Sequence, residues 1–325
     1  MADGRDTFAL FRVAAGARIG FGHLRRASVL ARALDRPCAL SIRGSAARPA
    51  PFAAAPATAA TALAYCAPRL LVIDDLRAEH AQPWLMAARR VGVPCASLHD
   101  LGLGPIASDL AVDGSLMSRG RWPARAVLTG PRFAVLGSAG LRYSRRRART
   151  RVRCIVVSLG GGRHGALTCA IVGGLRALLP GVRVVVPTGF VGDAALAALA
   201  GDAVEIVRAP EGLGPLLAAA DLAVVGGGMT LYEAAAAALP VVAVPVVRAQ
   251  RRTVRAFVRA GLAVSVTDGA NAAELGRLVA RRAARLEADA PRRQAMAAHG
   301  RATVDGHGAR RVAHALVALA ETRRE

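Results

Sequence analysis

Two short stretches gather the residue types that can do chemistry. In "ARIGFGHLRRASVLARAL", residues 17–34, Gly20 and Gly22 lead into His23, and Arg25 and Arg26 open an apolar-patterned helix. In "VVGGGMTLYEAAAAALPVVAVPVV", residues 224–247, a strand runs into Gly226, Gly227 and Gly228, and a helix opens at Met229 or Thr230. Glycines let a backbone approach an anion closely, and the unpaired N–H groups of a helix start attract it. The second motif therefore reads as a phosphate-holding turn, with Glu233 placed to accept the hydroxyls of a ribose. Its spacing is not the dinucleotide G-x-G-x-x-G, and it lacks a P-loop lysine. A bland alternative stands beside it, because Thr230-Leu-Tyr-Glu233 also fits a capping box. In the first motif the positive end of the helix disfavours imidazolium and holds His23 neutral, the form that takes a proton from water or a hydroxyl. The alternative there is a turn histidine with one backbone hydrogen bond.

Other residues stand where they can assist. Asp74 and Asp75 end the strand-like "LLVIDD", so that either can orient His23 or contact a sugar hydroxyl; either also suits a turn or an N-cap. Gly160, Gly161 and Gly162, followed by His164, form another candidate anion-holding turn. Gln250, just beyond "VVAVPVV", and Arg26 are further candidate substrate contacts. His80, His99-Asp100, Asp109 and Asp113 match no recognised ligand spacing, so no metal is expected. There is no G-x-S-x-G elbow and no plausible cysteine nucleophile.

These residues need strands and helices to hold them. Short Val/Ile/Leu runs recur at 8–14, 38–44, 69–75, 94–100 and 109–115, with helical segments at about 23–35 and 79–91. A second series runs through 153–162, 182–189, 203–210, 221–228, 240–247 and 262–268, again separated by helical stretches. Such alternation predicts parallel sheets covered by helices on both faces, in two doubly wound, Rossmann-like domains facing a cleft. The arginine run "LRYSRRRARTRVR", 141–153, reads as a solvated linker. It sets a boundary near 148, giving an N-terminal domain 1–148 and a C-terminal domain 149–325. The tail from Asn271 is mostly helical, with a break around Pro291.

Composition narrows the function classes. The chain has 325 residues, enough for two domains, and its cores must be built from small aliphatics because only 4% of it is aromatic. The formal net charge of +22 comes from 44 arginines with no lysine at all, which suggests a GC-rich coding bias more than a designed phosphate-binding face. No cluster of aromatics is present to stack bases, so nucleic acid is not expected as a partner, whereas peripheral contact with an anionic membrane surface fits the charge. No segment reaches the roughly 18 uninterrupted apolar residues of a membrane span. The start "MADGRDTF" has no basic-then-apolar secretion signal, and five cysteines without C-x-x-C pairing suit a reducing cytoplasm.

Taken in order, "IGFGHLRR", "LVIDD", "LHDLGLGPIASDLAVDGSL", "SLGGG", "ADLAVVGGGMTLYEAAAAALPVVAVPVV" and "DGHGARRVAHAL" resemble the UDP-sugar hydrolases of the pseudaminic acid pathway. These are relatives of the peptidoglycan N-acetylglucosaminyltransferase, and the resemblance covers nearly the whole chain. It implies the glycosyltransferase-B fold and a UDP-sugar substrate, with no metal or organic cofactor. It also implies roles: the diphosphate held by the 226–230 turn, Glu233 on the ribose, and His23 activating water as UDP leaves the anomeric carbon. The chain departs from the family where Ala14 or Ala15 replaces an acidic residue, where Arg163 follows Gly160–Gly162 with Ala166 before Thr168, and where Ala249 precedes Gln250. The same scaffold also serves glycosyl transfer to a small or lipid-linked acceptor, which stands as the alternative activity.

Overall fold

In the computed structural model the described residues are 7–16, 19–75, 77–99, 106–118, 122–137, 150–160, 164–188, 194–209 and 212–322. The chain divides into two compact units, Met1–Leu136 together with His307–Glu325, and Gly137–Gly306.

The first unit is built on β1 (Ala9–Ala14), β2 (Cys38–Arg43), β3 (Ala53–Ala54), β4 (Leu70–Asp74), β5 (Cys95–Leu98), β6 (Leu110–Asp113) and β7 (Ala126–Thr129). They form one sheet in the order β3-β2-β1-β4-β5-β6-β7, and every recorded pairing is parallel. β1 and β4 are buried at every position, which is why their sequences run continuously apolar instead of alternating. The helices are α1 (Gly22–Leu34), α2 (Ala59–Cys66) and α3 (Ala78–Arg90). Leu24, Ala27, Leu30 and Ala31 of α1 pack on Phe11, Val13 and Val72. On the opposite face Leu63 of α2 and Trp84 and Leu85 of α3 close over Leu10, Leu71 and Ile73.

The second unit holds β8 (Cys154–Ser158), α4 (Gly165–Leu178), β9 (Arg183–Thr188), α5 (Ala194–Ala197), β10 (Val204–Arg208) and α6 (Gly214–Ala219). It continues with β11 (Leu222–Gly226), α7 (Met229–Ala236), β12 (Val241–Val244), α8 (Gln250–Arg259), β13 (Val264–Ser265), α9 (Ala272–Ala288) and α10 (Ala290–Thr303). Its six strands lie in the order β10-β9-β8-β11-β12-β13, again parallel. The core is valine-rich, from Val157, Val184, Val224 and Val242 to Val279 of α9. Asn271 caps α9 by accepting from Glu274 N, while the Glu274 carboxylate takes Ala270 N.

The two doubly wound sheets are as expected, but the proposed segment 149–325 is not one unit. The last helix, α11 (Gly308–Glu321), leaves the second unit and packs on the first. Val312, Ala313 and Leu316 join the core beside α1, and Arg311 donates to the Arg132 carbonyl. An amphipathic terminal helix carries no signal for which sheet it will cover. The boundary near 148 falls among residues outside those described.

Candidate functional site

Each sheet has the strand order 3-2-1-4-5-6 counted within its own unit, with β7 added at one edge of the first. The order reverses direction between β1 and β4 in the first unit, and between β8 and β11 in the second. Loops diverge at such switch points and leave a crevice at the carboxyl ends of the strands. The candidate residues sit at these two places.

In the first unit the chain leaves β1, and Gly16 and Gly20 exchange backbone hydrogen bonds of 3.1 and 2.7 Å before α1 starts. Gly20 has a φ of +93°, where a side chain would be strained, so the tight return into α1 depends on it. At Gly22 no atom lies within 4 Å of where a Cβ would stand, so the turn is open on that side. His23 follows in the first helical turn, only 6% exposed.

His23 Nδ1 meets Asp74 Oδ1 at 2.6 Å. Arg26, one helical turn further, grips the same carboxylate through Nε to Oδ2 at 2.7 Å and Nη2 to Oδ1 at 2.6 Å. Asp74 and Arg26 are both buried. Burial alone pushes the Asp74 carboxyl up, but the Arg26 and His23 charges and hydrogen bonds outweigh it and hold the group well below the usual carboxylate range. A carboxylate kept ionised accepts the Nδ1–H of the ring, which fixes the tautomer and leaves the Nε2 lone pair as the basic position. Nε2 has no hydrogen bond among the described residues. Such an arrangement can serve as a base with an orienting carboxylate, the carboxylate locked by a guanidinium.

The neighbouring aspartate does something else. Asp75 is held by Arg43, Nε to Oδ2 at 2.7 Å and Nη2 to Oδ1 at 2.5 Å, and accepts from Arg77 N at 3.4 Å. Burial pushes its carboxyl up, but Arg43 outweighs this and brings it below the usual range. Side chains alternate across a strand, so the two aspartates leave β4 toward opposite faces. Only Asp74 shares the α1 face. Of the two aspartates read from the sequence, the structure brings Asp74 to His23 and gives Asp75 to Arg43. Arg26, read as a substrate contact, is 4% exposed and turned onto Asp74.

In the second unit β11 ends at Gly226, and α7 opens at Met229 with Gly228 as its N-cap and no side-chain cap. The capping-box alternative does not form, because Glu233 is the fifth helical residue and is buried at 3% exposure. Met229 and Thr230 are half-buried in the first turn. A Cβ on Gly226 would stand 2.7 Å from the Leu159 carbonyl oxygen, and one on Gly227 2.7 Å from Val254 Cγ2 and 2.8 Å from Gln250 Cβ. Both glycines are therefore demanded by neighbouring backbone and helix, whereas Gly228 meets nothing nearer than Gln250 Nε2 at 3.9 Å. Gln250, read as reaching a cleft, instead turns its Oε1 onto two backbone donors, Gly227 N at 3.1 Å and Val246 N at 3.0 Å. It clamps the turn, a role that spacing alone does not announce.

Gly161 lies outside the described residues, as do Gly162 and Arg163. His164 is the N-cap of α4, its pKa lowered by burial. Of the other candidates, His80 lies half-buried in α3, and His99, Asp109 and Asp113 are occupied separately. His99 bonds Ser97 at 2.5 Å and stacks on Trp122 with ring centroids 3.8 Å apart. Asp109 accepts from Cys95 N, and Asp113 from Ser115 N. Asp100 is outside the described residues, among which no group of three or more His, Cys, Asp and Glu is placed to hold a metal ion. Burial pushes the Cys38 thiol up to about 12, far from nucleophilic use.

No known protein family and no curated protein matches the chain by sequence. Solved structures do match along nearly its full length. The calicheamicin glycosyltransferase CalG4 has a TM-score of 0.65 at 16% identity, covering 99% of this chain and 100% of that one. Acinetobacter baumannii MurG gives 0.61 at 14% identity over 96% of this chain and 100% of its own. Staphylococcus aureus MnaA, solved with UDP, gives 0.62 at 12% identity over 94% and 95%. Identities this low speak for fold alone. Two parallel-sheet α/β units in this order, with these neighbours, make the architecture that of the glycosyltransferase-B fold.

Proposed function

We propose that the protein is a glycosyltransferase that uses a nucleotide-diphosphate sugar, UDP-linked, as donor. The observation that carries the reading is the His23–Asp74–Arg26 cluster, a tautomer-fixed imidazole at the carboxyl end of β1. In this reading His23 Nε2 takes the proton of an acceptor hydroxyl as that oxygen bonds to the anomeric carbon. The bond from the anomeric carbon to the phosphate oxygen breaks, and the nucleoside diphosphate departs. Backbone N–H groups at the start of α7, from Gly228 onward, receive the charge of the departing diphosphate, as an oxyanion hole does. Gly228, Met229 and Thr230 hold phosphate and Glu233 accepts the ribose hydroxyls, while Gly227, read from the sequence as a phosphate contact, gives its N–H to Gln250, which keeps the turn in shape. Because backbone donors carry the charge, no metal step is needed. Glycosyltransferases among the structural neighbours support transfer.

The sequence resemblance to UDP-sugar hydrolases favours a second reading, in which water takes the place of the acceptor and His23 accepts its proton. Incubation with UDP-, GDP- and CMP-sugars separates the two. Release of UDP that needs an added acceptor, and is unchanged by EDTA, supports metal-free transfer. Release without any acceptor replaces it with hydrolysis, and binding without release under either condition removes catalysis altogether.

A further inference from the structure

From Ala234 to Thr267 the chain contains no acidic residue but five arginines, at 248, 251, 252, 255 and 259. Four of these lie on α8, the helix whose first residue clamps the Gly227 turn. Its inward face is settled, since Val254, Ala256 and Phe257 are buried and Phe257 meets Tyr232 of α7 edge-on at 4.7 Å. Residues four apart on a helix share a face. Arg251, Arg255 and Arg259 therefore form one stripe, with Arg248 and Arg252 beside it, and all five are exposed. Arg251, Arg255 and Arg259 make no salt bridge among the described residues. Two exposed valines accompany the stripe, Val258 on the helix at 39% and Val247 just before it at 50%. Val258 also lines a hollow of about 190 Å³ with Gly261, Ala263, Arg292, Met296 and His299.

We infer that the arginine face of α8 seats the second unit on an anionic lipid surface. Charge complementarity carries the choice of partner: the exposed guanidinium groups of Arg251, Arg255 and Arg259 on one helix face, in a stretch without an acidic residue, match a plane of headgroup phosphates. Bases of a nucleic acid would need aromatic rings to stack on, and the one aromatic of α8 is buried. The exposed apolar groups are aliphatic, suited to shallow insertion between headgroups. Since the larger apolar face of α8 packs inward, attachment is electrostatic and falls with salt. The inference does not rest on the transfer reading. It places the membrane contact on the helix that also clamps the candidate phosphate turn.

The test is co-sedimentation of the full chain with vesicles of phosphatidylcholine alone or mixed with phosphatidylglycerol. The wild type should bind the mixed vesicles and not the neutral ones. Each arginine at such a surface is worth about fivefold in partition, so the triple variant Arg251→Gln/Arg255→Gln/Arg259→Gln should lose about a hundredfold. A matched control is Arg277→Gln/Arg281→Gln/Arg285→Gln on α9, three exposed arginines at the same spacing with the same loss of charge. It should change partition less than about threefold. Equal losses in both triples would reduce the effect to net charge and overturn the assignment, as would equal binding to neutral vesicles or none to anionic ones. Tighter retention on a single-stranded oligonucleotide, dependent on the same α8 arginines, would overturn it in favour of nucleic acid. Circular dichroism checks folding, and Arg255→Gln alone, expected to lose about fivefold, keeps the test open should the triple misfold.

Discussion

The two strand-to-helix turns at the switch points solve different problems with the same layout. The turn after β1 equips itself with side chains: an imidazole in the first helical turn, a carboxylate from the next strand in the sheet and a guanidinium to lock that carboxylate. The turn after β11 has removed side chains: three glycines, a helix without a side-chain cap, and an amide oxygen holding the backbone from behind. In the proposed reading the first moves a proton and the second holds charge. A shared topology places a crevice at each switch point, while the residues at each turn decide what chemistry it can offer.

The largest effect should come from the proton-moving turn. His23→Ala removes the only basic position the cluster presents, and kcat should fall by about 10² to 10⁴-fold. Nucleotide affinity, measured by calorimetry, should stay within about twofold. If affinity falls instead while kcat holds, the division of labour between the two turns is wrong.

Asp74→Asn comes next and has two readouts. Activity should drop by about 10²-fold or more, since an amide no longer imposes the Nδ1–H tautomer. Stability should also fall, by about 3–5 kcal/mol, because Arg26 is left buried without its counter-charge. The pH dependence has a definite sign. The folded-state carboxyl lies below its unfolded value, so its contribution is fully present above about pH 4 and is lost as the pH falls below that. The gap in denaturant midpoint between wild type and Asp74→Asn should therefore be widest near neutrality and narrow in acid. A gap independent of pH would show that the ion pair is not its source.

The first two predictions rest on features that were unequally legible in the sequence. Continuous apolar runs such as "LLVID" and "CIVVS" announced buried parallel strands, because a strand covered on both faces has no polar side to show. The edge strand β7 escaped, being exposed along its length and lacking that run. His23 and the glycines were visible from type and spacing. The choice of Asp74 over Asp75 was not, since it depends on which face of β4 looks toward α1. Arg26 was misread because an arginine beside a glycine turn suggests a phosphate, and only its burial shows it spent on a carboxylate. The capping box failed by a shift of helix start: with Gly228 as N-cap, Glu233 lies beyond the reach of the cap. Gln250 was expected to face a ligand because it follows a strand end, but backbone donors three-dimensionally adjacent to it claimed its oxygen first.

The charge-holding turn should break more gently. Gly227→Ala drives a methyl against Val254 and Gln250, and should cost about 1–3 kcal/mol of stability along with nucleotide affinity. Gly228→Ala has room for its methyl and should be milder in stability. Gln250→Leu strips the acceptor from Gly227 N and Val246 N and should cost about 1–3 kcal/mol as well, read in thermal unfolding. All three should leave kcat at saturating donor less affected than KM. A kcat loss as deep as that of His23→Ala would merge the two turns into one function.

The smallest effect on activity is the most pointed, because it comes from the residue beside Asp74. Asp75→Asn loses a bidentate partner for Arg43, but Arg43 is a quarter exposed and can turn to water, unlike Arg26. The stability loss should thus be smaller than for Asp74→Asn, about 1–2 kcal/mol. Nothing in the Asp75 network touches His23: its partners are Arg43, the charge of buried Arg12 and the backbone of Arg77, on the far side of the strand. Turnover per folded molecule should stay within about twofold, and its pH profile should not move. Two adjacent carboxylates, each held by an arginine, would then differ in activity by two orders of magnitude through strand parity alone. A matching loss from both would mean that charge at the end of β4, and not contact with the imidazole, sets the rate.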